Sequence, residues 1–430
     1  MNATQPLPAT ADVVVIGAGV FGIAAAYHLA KMGAGCIAVI ERSPHAAMQT
    51  TYGGAGFVSL WSAGAMEPES SIECYGRDFY RDLAEQRDIG FKALGLIFVA
   101  RSPHAAEQQR VNHARMQRHL PAGEAQLIDA RQVARLAPIF DAAKIASGEY
   151  WPQAVRVDAP KAVAALAAEC EAMGVQVACG VQVIGLGMAN GRVTGVRTGA
   201  GHIATRCVVL AAGAWNVRLM AMAGAWLPLF PTHVCRFVTE PLGVSSDLPL
   251  LLLADYHGLY LREDAGGLLI GSDQTLMHGP ALAHHAATTF SVSAGDALPD
   301  DVRNLPDDLA RYNEWAARQL HEVIPVLSDF TVKEVRHGLP ARTPDMRPVL
   351  GELPQAKGCF IIGGDNECGV TRGPGLGRLL AECIMGGRAS QDISPLRPDR
   401  WQPMTGKGEA FAVKPDACQN SMANASPLRQ

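Results

Sequence analysis

The chain has 430 residues, 48% of them hydrophobic, with 37 basic and 41 acidic side chains and a formal net charge of −4. That length and apolar fraction suit a large core spread over two intertwined domains. The near-balanced charge leaves no electrostatic footprint for nucleic acid or an anionic membrane surface, and no run approaches the roughly 18 consecutive apolar residues of a membrane span.

The first eleven residues contain no basic segment followed by an apolar run, so they read as a tail without a secretory signal. Ten cysteines are scattered with no CxxC pair. They read as reduced thiols in a cytoplasmic protein. The thirteen histidines, His284 and His285 among them, show no metal-type spacing, and no metal is expected.

An apolar strand at Val13–Ile16 runs into a glycine turn (Gly17, Gly19, Gly22), a small-residue helix over about 20–32, and a second apolar strand at Ile37–Ile40 that stops at Glu41. Gly17 lets the backbone turn sharply, Gly19 lets it approach a pyrophosphate, and Gly22 lets the helix pack on the strand. The free amides and positive dipole end of that helix suit phosphates. Glu41, 24 positions after Gly17, suits the two hydroxyls of an adenosine ribose. These parts in this order predict a dinucleotide site.

Downstream, a polar, glycine-rich loop at 49–61 precedes an expected helix at 67–86, a strand at 94–100 and helices at 105–119 and 130–136. A helix at 160–173 follows, then strands joined by an Asn190-Gly191 hairpin turn, then the apolar strand 207–215, which ends in small residues. From 227 to 331 the pattern changes to alternating strands (232–238, 258–262, 267–271), a polar loop and a helix at 307–323. The segments 337–351 and 359–370 and a helix at 374–385 return to the nucleotide layer. Residues 405–430 lose periodicity and read as a disordered tail. The expected architecture is α/β: a Rossmann-like domain assembled from 12–66, 150–226 and 332–395, and an antiparallel-sheet substrate domain with a helical layer from 67–149 and 227–331. Tails at 1–11 and 396–430 flank them. A nucleotide domain built from separated segments argues against a simple nicotinamide dehydrogenase.

Four blocks in order carry a family resemblance: VIGAGVFGIAAAYHLA with Glu41, the TTYGGAGF loop, the VVLAAGAW strand, and GLPARTPDMRPVLG followed by GGDNECGVTRGPGLGRLLAE. Over about residues 12–390 the chain resembles the D-amino-acid-oxidase superfamily of flavoproteins, in its glycine oxidase and sarcosine oxidase branch. The resemblance implies FAD extended across the nucleotide domain, its flavin facing the antiparallel sheet. Gly17, Gly19, Val20, Phe21 and Gly22 would meet the pyrophosphate, Glu41 and Arg42 the ribose, and Val183 the adenine. Thr50, Thr51 and the backbone of Ala55, Gly56 and Phe57 would line phosphate and flavin, with Gly213 and Trp215 at the end of the strand beneath. Gly364, Asp365, Asn366, Cys368, Gly369, Val370 and Thr371 would wrap the flavin edge, and the helix start at Gly373-Pro374-Gly375 would aim its dipole at the pyrimidine end. Gly338 and Gly53 stand where covalent members carry a cysteine or a histidine, which implies non-covalent FAD.

At the substrate side the sequence departs from the family. Pro340 replaces a carboxylate-binding arginine, and Glu367 replaces a second one. The resemblance then offers Arg342 or Arg372 as a relocated carboxylate clamp, or a substrate amine without an α-carboxylate, with Glu367 facing a cation. Otherwise both arginines are solvent-facing charges. Tyr260 matches a position that often points at substrate, with Tyr256 a weaker choice. The implied chemistry is hydride transfer from the carbon α to an amine nitrogen, giving an imine that water hydrolyses, with electrons passing to O2 or a separate acceptor. Two other readings keep the cofactor: a 2-hydroxy-acid or polyol dehydrogenase, and a flavin-binding subunit of a hetero-oligomeric flavoprotein.

Overall fold

The runs at Val13–Ile16 and Ile37–Ile40 bury every side chain, as strands do inside a parallel sheet covered on both faces. The structure, a computed structural model, describes residues 6–62, 66–253, 255–256, 258–272 and 298–401. His284, His285 and the 405–430 tail lie outside the described residues. Six strands form the nucleotide sheet, in the order Val349–Glu352, Cys359–Gly363, Val208–Leu210, Val13–Ile16, Ile37–Ile40 and Gln176–Ala178. All pairs are parallel except the one at the Val349–Glu352 edge. The chain leaves Val13–Ile16 towards one neighbour and returns later on its other side, so a crevice opens at the carboxyl end of this central strand.

The helix Val20–Lys31 is buried along most of its length. It packs between Ala159–Ala172 and Gly369–Gly386. Close approach depends on small residues: a Cβ on Gly377 would lie 2.7 Å from the Ala24 carbonyl carbon, and one on Gly373 would lie 2.8 Å from Val20 Cγ2. The last helix starts at Gly369, five residues before the expected 374, so Pro374 lies inside it rather than at its first turn. Pro374 has no N–H to offer the Val370 carbonyl. The Tyr80 hydroxyl donates to that oxygen instead, at 2.9 Å. A neighbouring helix thus supplies the bond that proline removes. The helix dipole consequently begins at Gly369, not at Gly373-Pro374-Gly375.

His28, on the buried helix, stands among Tyr27, Tyr75 and Phe79. Burial, reinforced by the Arg378 cation, lowers its pKa from 6.5 to about 4. Because the folded value is depressed, the unfolded chain takes up the proton first as pH falls. The stabilisation is complete above about pH 6.5 and is lost as pH drops towards 4, a total of about 3 kcal/mol. His28→Gln is therefore expected to flatten the stability profile across that window. Denaturant unfolding at several pH values checks it; equal slopes for the two proteins would refute it.

A second sheet of eight strands roofs the crevice, in the order Val332–Gly338, Val234–Thr239, Gly267–Ser272, Leu259–Asp264, Leu250–Leu253, Leu96–Ala100, Ser147–Trp151 and Gln126–Asp129. Its pairs are antiparallel except Leu250–Leu253 with Leu96–Ala100. Gln126–Asp129 and Ser147–Trp151 are strands that periodicity alone does not reveal. Val332–Gly338, expected to return to the nucleotide layer, pairs with the roof instead. The hairpin turn at Asn190 and Gly191 has positive φ at both residues (52° and 71°) and joins Val183–Ala189 to Arg192–Thr198. The helix expected at 307–323 spans Asp308–Arg318 and lies on the roof. Residues 9–11, read as tail, attach to the Gly201–Ala204 edge: Ala204 N donates to Ala9 O and Ala11 N to Ala204 O. None of the nine described cysteines forms a disulfide, and no described helix is long and apolar enough to cross a membrane.

Candidate active site

The glycine turn sits on the crevice with its geometry fixed by contact. Gly17 has φ +108°, and a Cβ there would lie 2.6 Å from the Ala211 carbonyl oxygen. A Cβ on Gly22 would overlap the Gly17 carbonyl. Gly19 is extended and opens the helix with no side-chain cap and no acid in the first turn. The Thr51 hydroxyl stands at this end, 3.3 Å from the Val20 amide. A helix end with no acid in its first turn, whose first amide donates only to a hydroxyl, is a phosphate cradle.

Glu41 holds the turn to the second strand. Its Oε2 accepts from Ala18 N at 2.8 Å and its Oε1 from Ser43 N at 2.7 Å. Each oxygen keeps a second lone pair for a diol. Arg42 lies with its Cζ 4.2 Å from the centre of the Trp215 ring, whose Nε1 donates to Pro299 O. Gly213, with φ +56°, begins the short 3-10 turn that carries Trp215. Thr50 Oγ1 accepts from Leu339 N at 3.1 Å and ties the glycine-rich loop to the 338–341 segment.

A continuous cleft runs along these parts and reaches the roof strand Val234–Thr239. Of the residues selected from sequence, Gly17, Gly19, Val20, Phe21, Glu41, Arg42, Thr50, Thr51, Val183, Gly213, Trp215, Asp365, Glu367, Gly369 and Val370 line it. Burial raises the Asp365 carboxyl to about 6, against the pull of the Arg372 charge and the backbone.

Several others stand behind the wall. Gly22 underlies the turn. The Ala55 carbonyl accepts from Arg262 Nε at 2.7 Å. A Cβ on Gly56 would overlap the Val157 carbonyl, and Phe57 packs edge-on against Tyr260, 5.5 Å between ring centres. Thr371 is fully buried, donating to Phe57 O and accepting from Trp61 Nε1. Asn366 locks its own loop, accepting from Thr343 N and donating to Gly364 O. Gly364, at φ +63°, lies against Thr343, and Cys368 caps the last helix.

The two arginines are not solvent-facing. Arg342 is buried, ion-paired to Glu367, and donates to Thr232 Oγ1. Arg372 is buried and donates from Nε and Nη2 to Glu73 Oε1 at 2.9 and 2.7 Å. Glu73 also accepts from the Ser62 amide and hydroxyl. Neither arginine lines the cleft, and neither does Tyr260. Tyr256 packs against the core behind the roof.

Arg42 and Arg218 line the nucleotide end of the cleft, and the arginine that lines it from the roof is Arg236, on Val234–Thr239. Its Nη1 donates to the Gly53 carbonyl at 2.6 Å, and its Cζ lies 5.6 Å from the centre of the Tyr260 ring. Of the three buried arginines among the described residues, Arg342 and Arg372 have carboxylate partners and Arg236 has none. Its Nε has no hydrogen-bond partner among them. Sequence reasoning passed over it. The available signal was a single charge inside the apolar run VCRFVT.

The fold and cleft define a dinucleotide-dependent oxidoreductase with a nucleotide sheet below and a separate sheet above. The chain belongs to the DAO family of FAD dependent oxidoreductases, whose model matches residues 12–383, and FAD is its cofactor. It is 30% identical over 401 residues to mitochondrial sarcosine dehydrogenase of Mus musculus, covering 91% of this chain and 41% of that protein. It is 27% identical over 403 residues to the mitochondrial pyruvate dehydrogenase phosphatase regulatory subunit of Mus musculus, covering 92% and 44%. The chain therefore spans less than half the length of these two relatives. The structure of L-proline dehydrogenase from P. horikoshii superposes with a TM-score of 0.76 at 22% identity, covering 92% of this chain and 98% of that one, a likeness of fold. The residues present fit FAD: the crowded glycine turn, the open helix end and the two free lone pairs of Glu41 match its diphosphate and ribose.

Proposed function

We propose that this chain oxidises the C–N bond of a carboxylate-bearing amine, an amino acid or its N-substituted form, with non-covalent FAD. The observation that carries the reading is Arg236, a buried cation on the cleft wall with no carboxylate ion-paired to it among the described residues. Leaving a charge buried without a partner costs several kcal/mol, and a substrate carboxylate removes that cost by a charge-assisted pair. Sarcosine and L-proline, the compounds in two of the relatives' names, are both N-substituted amino acids.

FAD supplies the two-electron acceptor. Arg236 would bind the carboxylate and so fix which face of the neighbouring carbon looks into the cleft. Leu339, Pro340 and Ala341 would form an apolar wall that excludes water and favours the unprotonated amine. Glu367 and Arg342 neutralise each other at the margin, which leaves Arg236 as the anchor. Gly53 and Gly338 offer no side chain for a covalent flavin link.

Arg236→Gln is expected to raise KM for an amino-acid substrate about 10- to 100-fold, the worth of one hydrogen bond to a charged group, with FAD content unchanged. The same variant is expected to leave an amine lacking the carboxylate nearly unaffected. Anaerobic flavin bleaching with matched acid, ester and amine substrates reads this. Equal effects on all three would remove Arg236 as the anchor. Bleaching by a 2-hydroxy acid or polyol alone would favour that chemistry, and no bleaching by any donor would favour a regulatory or assembly subunit.

A further inference from the structure

Behind the roof, on the face turned away from the cleft, three metal-ligating side chains meet. Cys235 and His337 are direct cross-strand partners in the antiparallel pair formed by Val234–Thr239 and Val332–Gly338. His233 lies two residues before Cys235 and so shares its face. His233 Nε2 and His337 Nδ1 are 3.0 Å apart, and one ring nitrogen of each histidine and Cys235 Sγ all lie within 4.8 Å of one another. The three residues are buried, at 1%, 2% and 7% relative exposure. Sequence spacing hides the group, because its members lie on strands about a hundred residues apart.

A second observation concerns Asp307. It stands at the N-cap of the helix Asp308–Arg318, where an aspartate ordinarily accepts from its own helix amides. Its side chain makes no such bond. Instead its Oδ1 lies 3.1 Å from His337 Nε2. A carboxylate on the far nitrogen fixes the tautomer that leaves Nδ1 unprotonated, which is the usual arrangement behind a ligating histidine. The helix it begins closes the site, with Leu309 and Ala310 packed on Cys235 and Asn313 Nδ2 donating to the Cys235 carbonyl.

We propose that His233, Cys235 and His337 form a zinc site that ties the two roof strands together beneath this helix. Two imidazoles and a thiolate are a borderline-soft set suited to Zn2+. Zn–N bonds of about 2.0–2.1 Å in a tetrahedron place the two nitrogens about 3.3 Å apart, a few tenths of an ångström wider than the present contact. Binding replaces the His233–His337 hydrogen bond and releases the Cys235 thiol proton to solvent. The fourth position takes a water. The site belongs to the roof rather than to the oxidation, since Val234 and Arg236 face the cleft and the three ligands do not. It would pin the strand that leads into Leu339, Pro340 and Ala341.

The full chain, expressed with added zinc and dialysed, is expected to carry one zinc per chain alongside its FAD. Asp307→Asn keeps all three ligands and replaces a largely exposed side chain. It should weaken zinc about 10- to 100-fold, read by competition with a chromophoric chelator. Cobalt substituted for zinc should give a thiolate charge-transfer band that Cys235→Ser abolishes, measured as a difference spectrum against the zinc form so that flavin absorption cancels. Should the serine variant not fold, loss of the band from the wild-type protein on adding excess zinc serves the same purpose. No metal above background, zinc retained equally by the Asp307 variant, or a cobalt spectrum without thiolate character would each overturn the site. Copper at unit stoichiometry in place of zinc would overturn the zinc assignment.

Discussion

Gly22→Ala is expected to strip FAD from the protein and to destabilise it, although alanine is the better helix former by about 0.8–1 kcal/mol. The position lies in the first turn of Val20–Lys31, where the added Cβ overlaps the Gly17 carbonyl oxygen. Neither atom can step aside cheaply. Gly17 is itself held at φ +108° against the Ala211 carbonyl, and its amide donates to Ile40 O at 2.8 Å. Overpacking of this kind costs about 1–3 kcal/mol, and here the strain falls on the turn that presents the phosphate amides. A shift worth about 3 kcal/mol at the cofactor lowers FAD affinity about 100-fold. Fluorescence titration of the apoprotein with FAD, together with denaturant unfolding of the apo form, separates the two effects. An alanine variant that is more stable and binds FAD as tightly would contradict this account of the turn.

Glu73→Ala is expected to cost about 3–5 kcal/mol, the penalty of leaving a buried partner charge unpaired. Glu73 is fully buried, and burial raises its pKa against the pull of Arg372 and Ser62. It holds Arg372 on the first turns of the last helix and Ser62 on the glycine-loop side, so one carboxylate braces helix Glu69–Ala84 against both. Replacing Glu73 and Arg372 together by methionine removes both charges and should recover most of the loss. Denaturant midpoints of the two single variants and the double variant test this as a cycle. Additive losses in the double variant would mean that the pair does not act as a unit. Because the same helix start carries Gly369 and Val370 on the cleft wall, Glu73→Ala should also weaken FAD binding, whereas the double variant should not.

Much of the lower layer was legible because its determinants are local. The run Val13–Ile16, the three glycines and Glu41 lie within thirty residues, and each acts through its own backbone or its near neighbours. The Asn190-Gly191 turn was readable for the same reason: both residues tolerate positive φ. The helix Ala130–Leu136 matched its expected limits, its ends fixed by the Asp129 capping box and by Ala137 leaving helical geometry. The last helix did not match, because the bond that Pro374 cannot make to the Val370 carbonyl is supplied by Tyr80, 290 positions from Val370.

The substrate side was legible only in part, and the reason is electrostatic. Whether an arginine is a ligand or a staple depends on which acid folds against it. Arg342 and Arg372 stood a few residues from the family's arginine positions, but Glu367 and Glu73 engage them, the latter from 299 positions away. Arg236 sits in an unremarkable strand, and its lack of an acid among the described residues becomes visible only when the roof is assembled. The His233, Cys235 and His337 group was hidden in the same way, since cross-strand register and not spacing brings it together.

The sequence by itself determined that a nucleotide-gripping turn exists near the start of the chain and that a sheet of another kind follows it. Backbone conformation, helix polarity and periodicity are properties of short segments, and a short segment displays them. Tertiary structure alone decided which charges are neutralised, which carbonyl a distant hydroxyl satisfies and which arginine of the roof faces the cleft. Those outcomes depend on burial and on pairing between remote parts of the chain, where removing water turns an ordinary charge into one that must find a partner.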